Sequence, residues 1–372
     1  MSKKVRKAGS ATGEREPAVR QRLARRCNSL DGKRWIQNSI SVWDDIRKSP
    51  AEQRLKHPAM FPAALATRLM ESFLPAGSQT VLDPFAGIGS TLVAATQLGK
   101  QGIGLELSPE FVGLATNRPD GPHVGSLAVE KHAPKSRAQQ TRLRSQTSDQ
   151  AGGIAPGQPP GETPGESIGG QTGQAVIYNA SANDLLQYVP ENSIDLCITS
   201  PPYWDILNQR RTADSKAVRH YGNLQHDLGT IADYAEFLTA LTNIFADVLR
   251  VLKPGAHCCI VVMDLRKKNR FYPFHSDLAA RLQDVGYEFD DLIIWNRQSE
   301  YNNLRPLGYP AVFRVNKVHE FVVLMRKPEQ VRARSTMGAR RASVRFLTAD
   351  RDARRWPAID AGEGRPAKDA CR

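Results

Sequence analysis

The sequence predicts an α/β fold: a mostly parallel, twisted sheet with helices on both faces. Three observations predict it. Apolar runs of strand length alternate with amphipathic helical periods, the order that builds a parallel sheet. A strand-like run at 80–83 passes through Asp83-Pro84-Phe85-Ala86-Gly87-Ile88-Gly89 into a helical stretch, and a second strand follows with Glu106 near its end. A later strand, Asp195-Leu196-Cys197-Ile198, stops abruptly at Thr199-Ser200-Pro201-Pro202-Tyr203-Trp204.

In chain order, residues 1–34 are polar, basic and aperiodic, which predicts a disordered arm. A folded region of 35–328 follows, opening with an ordered lead-in from Trp35 to Trp43. The stretch Lys56-His57-Pro58-Ala59-Met60-Phe61-Pro62 precedes a helix over 63–74. Leu65, Leu69 and Phe73 recur there at helical spacing, and Pro62 suits a first turn. The helix after the glycines carries Leu92, Ala95 and Leu98, ends at Gly99, and leads to a strand over 102–107. This βαβ pattern reads as a nucleotide-type site. Gly87 and Gly89 let the backbone approach a ligand, and an acid at the second strand's tip accepts hydrogen bonds from ribose hydroxyls. Asp83 before the turn and Glu106 after it strengthen the pattern.

Residues 117–174 are rich in Gly, Pro, Gln, Thr and Ser and predict a low-complexity insertion without a core. The pattern resumes with a strand over 175–178, then Asn183 to Leu186, then the strand ending at the double proline. Neither proline has an N–H and each fixes φ, and the residue before a proline is pushed out of the helical region. Ser200 with Pro201 and Pro202 therefore forms a stiff extended ledge at a strand's carboxyl end, where open α/β sheets place ligands. Alone, the ledge is also readable as a strand end with Tyr203 and Trp204 packed as core. Residues 205–230 are polar and basic, the profile of a loop over a site. A strong amphipathic helix over 234–252 follows, with Phe237, Leu241, Phe245 and Val248 on one face, ended by Lys253-Pro254-Gly255. A buried strand over 258–263, a helix over 274–285 and strands over 292–295 and 320–325 complete the folded region. Residues 329–372 predict a second basic disordered tail.

The net charge of +13 sits at the two ends: nine Lys and Arg against two Glu in 1–26, and eleven against five acids in 331–372. Basic arms of this kind attract polyanions by counterion release. The five cysteines show no CxxC spacing, and Cys197, Cys258 and Cys259 lie in apolar runs, so core thiols in a reducing cytoplasm are expected and no metal site is. No apolar run reaches membrane-spanning length and no signal peptide is legible. A cytoplasmic protein without membrane contact is expected.

With these residues assembled, the chain resembles the S-adenosylmethionine-dependent amino-methyltransferases of DNA, over about 35–328 without the insertion. The family's FxGxG cofactor motif is matched by Phe85-Ala86-Gly87-Ile88-Gly89, and its (D/N/S)PP(Y/F/W) catalytic motif by Ser200-Pro201-Pro202-Tyr203. The resemblance implies a Rossmann-like methyltransferase fold and S-adenosyl-L-methionine as cofactor. It implies cofactor contacts from Phe61, Asp83, Phe85, Gly87, Gly89, Glu106 and Asp184. The segment from His57 to Pro62 corresponds to the element that holds the methionine end. Where the family often has a Gly-Asp pair after the third strand, this chain has Ala180-Ser181, and Asp184 becomes the partner for the adenine amino group. The segments 205–230 and 297–317 are the candidates for target recognition, the second carrying Tyr301, Arg305, Tyr309, Phe313 and Arg314.

An exocyclic base amine is a poor nucleophile, because its lone pair is delocalised into the ring. Two acceptors aimed at its hydrogens favour a more tetrahedral nitrogen. Ser200 Oγ and the Pro201 carbonyl are expected to be those acceptors, with Tyr203 stacked on an extruded base and Trp204, Arg305, Tyr309 and Arg314 contacting substrate. Serine at the first catalytic position points, within the family, to cytosine N4, with adenine N6 as the alternative and an RNA or protein-amide substrate as a more distant one. Double-stranded DNA is the expected partner. A separate restriction endonuclease stays open as a companion, and oligomeric state is not legible.

Overall fold

The computed structural model describes residues 27–55, 60–118, 127–130, 173–205, 227–267, 269–300, 304 and 306–329. Among them, nine strands form one sheet: β1 (Val42–Trp43), β2 (Thr80–Asp83), β3 (Gln101–Glu106), β4 (Leu127–Glu130), β5 (Gln174–Asn179), β6 (Ile194–Thr199), β7 (Leu252–Val262), β10 (Glu288–Asn296) and β11 (His319–Arg326). A short hairpin, β8 (Leu265–Lys267) and β9 (Arg270–Tyr272), stands apart from it. The order across the sheet is β1-β10-β11-β7-β6-β2-β3-β5-β4. Every neighbouring pair runs parallel except the two that include β11. The chain winds outward from β2 through β3 to β5, then returns to the other side of β2 with β6 and β7. The order therefore reverses between β2 and β6, the switch point where a Rossmann-like sheet opens a crevice at its carboxyl edge.

Strand residues alternate between two cores, as a period of two demands. Cys197, Cys258, Ile260 and Val323 face one layer, built from α7 (Tyr234–Val251) and α8 (Phe274–Val285). Leu196, Ile198, Cys259 and Val322 face the other, built from α3 (Ala63–Phe73) and α4 (Ser90–Gln97). Phe237 and Phe245 of α7 are fully buried, each side chain stabilising the fold by about 1.5–3 kcal/mol. Asp233 starts that helix by accepting hydrogen bonds from the backbone of Ala235 and Glu236. Cys197, Cys258 and Cys259 are buried free thiols, as expected.

Four smaller α-helices, α1 (Gly32–Asn38), α2 (Pro50–Arg54), α5 (Pro109–Thr116) and α6 (Leu185–Tyr188), and three single-turn 3-10 helices complete the described elements. The helices over 63–74, 234–252 and 274–285 appear within a residue of their expected ends, as do β2 and β3, and the strands β5, β6, β7, β10 and β11 are longer than their expected apolar centres. Two features were not expected. The edge strand β4 lies inside the segment read as insertion, paired with β5, and Arg118, at that segment's start, is buried. The hairpin β8–β9 occupies a stretch too polar and short to register as strands. Residues 1–26 of the basic arm, 56–59, most of the insertion, 206–226, Tyr301, Arg305 and the tail from 330 lie outside the described residues. No helix among the described residues is long and apolar enough to cross a membrane.

Candidate active site

The carboxyl ends of β6, β2, β3 and β5 lie side by side, and each carries one expected group. β2 ends at Asp83 and turns through Gly87 (φ 53°) and Gly89 (φ 80°), both in the left-handed region that suits glycine. Gly89 is the cap before α4. Two further glycines, unremarked in the sequence, let this turn close on β3. A Cβ on Gly104 would lie 2.9 Å from Ala86 Cβ and 3.0 Å from Leu92 Cδ1, and one on Gly102 would lie 3.0 Å from Leu92 Cδ2.

Asp83 is 1% exposed. Its Oδ1 accepts hydrogen bonds from Thr199 Oγ1 at 2.7 Å and from the Phe85 backbone at 3.1 Å, and its Oδ2 accepts one from Thr91 Oγ1 at 2.7 Å. Burial pushes its pKa up to about 6 against these three donors. At 1% exposure and holding three donors of the chain, Asp83 ties the turn to the ledge and is too enclosed to be an open cofactor contact. Glu106, half-buried at the tip of β3, accepts from the Gly87 backbone (Oε2, 2.8 Å) and the Ser108 backbone (Oε1, 2.7 Å). Burial raises its pKa to about 7, opposed by those two donors. A carboxylate has about four acceptor sites, so two remain, a fit for the two hydroxyls of a ribose.

Asp184 sits after β5, half-buried, with Oδ1 accepting from Gln187 Nε2 at 3.0 Å. Phe85 is half-buried beside the α7 core. Phe61 is 7% exposed and belongs to the same buried cluster as Trp43, Ile46 and Leu65, while the preceding Met60 clusters with Ile88 of the turn. An arginine absent from the sequence reading supports the turn from below: Arg118 donates to the Ile88 carbonyl and to Ser90 Oγ, both at 3.2 Å, and pairs with the buried Glu52 at 3.3 Å. Nothing in an isolated arginine before a low-complexity run marks it for that position.

On the ledge, Pro201 is buried and Ser200, Pro202 and Tyr203 are half-buried. Ser200 Oγ lies 3.1 Å from Tyr203 Oη, which in turn donates to Glu320 Oε2 at 3.0 Å. Glu320, on β11, is 6% exposed and ion-paired with Arg297. Burial and the Glu320 carboxylate push the Tyr203 pKa well above its ordinary value, so this hydroxyl keeps its proton. With that proton committed to Glu320, Tyr203 accepts from Ser200, and both lone pairs of Ser200 Oγ are left to accept. Glu320 and Arg297 were not assigned a role from the sequence, because the hydrogen bond spans 117 residues.

Trp204 departs from expectation. It is 4% exposed, has φ 52°, donates from Nε1 to the Ile231 carbonyl at 2.9 Å and packs against Tyr234 and Tyr272. It anchors the ledge in the core and is not a substrate contact. Tyr309 is 80% exposed, and Arg314 donates to Asn269 Oδ1 at 2.8 Å. Both lie in the β10–β11 connection, at the same sheet edge as the ledge.

The DNA methylase family model for N6 and N4 enzymes matches residues 8–117 and 194–360. Among curated relatives, the chain is 32% identical over 98 residues to the type II methyltransferase M.ScaI of Streptomyces caespitosus, covering 25% of this chain and 30% of that protein. It is 27% identical over 195 residues to the type II methyltransferase M.MthZI of Methanothermobacter thermautotrophicus, covering 46% and 50%. The chain thus spans about half or less of the length of these relatives. A Thermus thermophilus DNA modification methylase structure solved with S-adenosyl-L-methionine shares 28% identity over 44% of this chain and 56% of that one, at a TM-score of 0.29, too loose a superposition to bear on the site. The family model covers well over half of the sequence, and the chain belongs to the N6/N4 DNA methylase family, whose cofactor is S-adenosyl-L-methionine.

Proposed function

We propose that the protein methylates an exocyclic amine of DNA, and specifically the N4 of an extruded cytosine. The observation that carries this reading is the Thr91–Asp83–Thr199 bridge, in which one buried carboxylate holds the helix after the glycine turn and the residue before Ser200. A cofactor turn and an amine-accepting ledge fixed to one another across the switch point are what a group transfer by positioning needs.

In this reading Glu106 accepts the cofactor's ribose hydroxyls, Gly87 and Gly89 give its backbone room, and Asp184 meets its adenine amino group. When bound, S-adenosyl-L-methionine supplies an electrophilic methyl on a sulfonium centre. Ser200 Oγ and the Pro201 carbonyl accept the two hydrogens of the target amine, which draws its lone pair out of the ring. Tyr203, held through its hydroxyl by Glu320, presents its ring to the base. The preference for cytosine N4 rests on serine, and not Asp or Asn, before the two prolines.

Incubation with labelled S-adenosyl-L-methionine and unmethylated genomic DNA tests the substrate class. Label is expected in DNA; label in RNA or protein and none in DNA would reject it.

A further inference from the structure

The hairpin β8–β9 has no part in the chemistry above, yet it is fastened to the ledge. Leu265 anchors it in the core at 1% exposure. Lys267 pairs with Asp205 and sits 3.9 Å over the Trp204 ring, and Tyr272 packs edge-on to that same ring at 5.0 Å. On its far side the hairpin is fastened to the β10–β11 connection: Arg314 donates to Asn269, and Lys317 Nζ lies 4.6 Å over Phe271. β7 runs parallel to β6, and β11 antiparallel to β7 begins where β7 ends. The hairpin and the 306–317 connection therefore stand at the same sheet edge as Ser200.

The surface they make is cationic. Arg266 and Arg270 are exposed on the hairpin, and Arg314 and Lys317 join them from the connection. Among the described residues none of these four is ion-paired with a carboxylate, whereas Arg34, Arg68, Arg250 and Arg326 elsewhere all are. The cations are interleaved with rings: Arg266 lies 5.6 Å over Phe271, and Phe313 is 94% exposed. Cations without a carboxylate partner attract phosphates regardless of base sequence, and exposed rings beside them offer faces to unstacked bases.

We propose that this hairpin and connection grip the phosphate backbone of duplex DNA beside the extruded base, with Arg266, Arg270 and Lys317 as phosphate contacts and Phe313 against the opened stack. The proposal rests on DNA being the substrate; the connection falls within the 297–317 segment already singled out in the sequence, and the hairpin, 265–272, is the part added to it. Because phosphate contact is independent of recognition sequence, any duplex serves as probe.

The test is fluorescence anisotropy of a labelled duplex from unmethylated genomic DNA, over a salt series, with wild type and the Arg266→Ala/Arg270→Ala/Lys317→Ala variant. Cofactor affinity by calorimetry reports that the variant is folded. The expected result is weaker duplex binding by about tenfold for each contact removed and a salt slope shallower by about 0.9 for each, with cofactor affinity unchanged. Phe313→Ala is expected to weaken duplex binding at an unchanged salt slope. Wild-type affinity and slope in the triple variant, from a protein that does methylate DNA, would overturn the proposal. A wild type that labels RNA or protein and no DNA rejects the substrate class instead, which keeps the two failures distinct.

Discussion

Ser200 is equipped to accept hydrogen bonds because of groups far from it in sequence. Tyr203 donates its hydrogen bond to Glu320 and accepts one from Ser200, which in the proposed mechanism leaves the serine's lone pairs, and not its hydrogen, for an incoming amine. Removing the serine hydroxyl removes the acceptor, and removing the charge on Glu320 loosens its direction. Ser200→Ala is expected to lower kcat by about 100-fold or more, in the range seen when a preorganised transition-state group is deleted. Glu320→Gln is expected to lower kcat by about tenfold, the worth of one weakened charged hydrogen bond. Both should leave the calorimetric affinity for S-adenosyl-L-methionine unchanged. Equal turnover by Ser200→Ala and wild type would remove the ledge from the mechanism. At this scale the sequence displayed Ser200, Pro201, Pro202 and Tyr203 by their contiguity. It could not display Glu320, which depends on how β11 lies beside β7, nor distinguish Trp204 as an anchor, since a ring after a ledge reads alike whether it faces core or ligand.

The site is made at the ends of elements. The turn from β2 to α4 needs left-handed backbone at Gly87 and Gly89, and it needs β3 to be narrow at Gly102 and Gly104 for α4 to sit close. Gly104→Ala places a methyl 2.9 Å from Ala86, within the turn itself. An overpacked core of this kind costs about 1–3 kcal/mol, and here the turn is the part that must move. Lower thermal stability together with weaker cofactor binding is the expected outcome, read by calorimetry. A loss of stability with cofactor affinity intact would show that the turn does not depend on β3. The long elements were legible because their periodicity is strong: α7, α8, β6 and the apolar centres of β7 and β11. Elements set by tertiary pairing were not. β4 has only four residues within a low-complexity run, and β8–β9 reads as a polar loop until its strands face one another.

Across the molecule, two carboxyls are held at the switch point with raised pKa, Asp83 at about 6 and Glu106 at about 7. A carboxyl whose pKa is higher folded than unfolded binds more protons in the native state. Its stabilisation is complete below the unfolded pKa and is lost as pH rises through the folded one. From these two groups, the stability of the cofactor-free protein is expected to decline between the ordinary carboxylate range and about pH 7, then level. Cofactor binding has the opposite slope, because hydroxyl donors favour the Glu106 carboxylate: affinity should rise up to about pH 7 and flatten above it. In Glu106→Gln both that rise and the Glu106 share of the stability decline should vanish. A pH-independent affinity in wild type would remove Glu106 from the cofactor site. The arrangement of the molecule followed from the βαβ signature and the motif order, while the antiparallel entry of β11 has no local signature and comes only with the sheet.

A glycine turn and a serine ledge, held together by Asp83, are proposed to transfer a methyl group to cytosine N4 in DNA. The most direct measurement is mass spectrometry of nucleosides from unmethylated genomic DNA treated with the protein and S-adenosyl-L-methionine. N4-methylcytosine is expected, absent when Ser200→Ala replaces wild type; N6-methyladenine without N4-methylcytosine would overturn the assignment of the target amine.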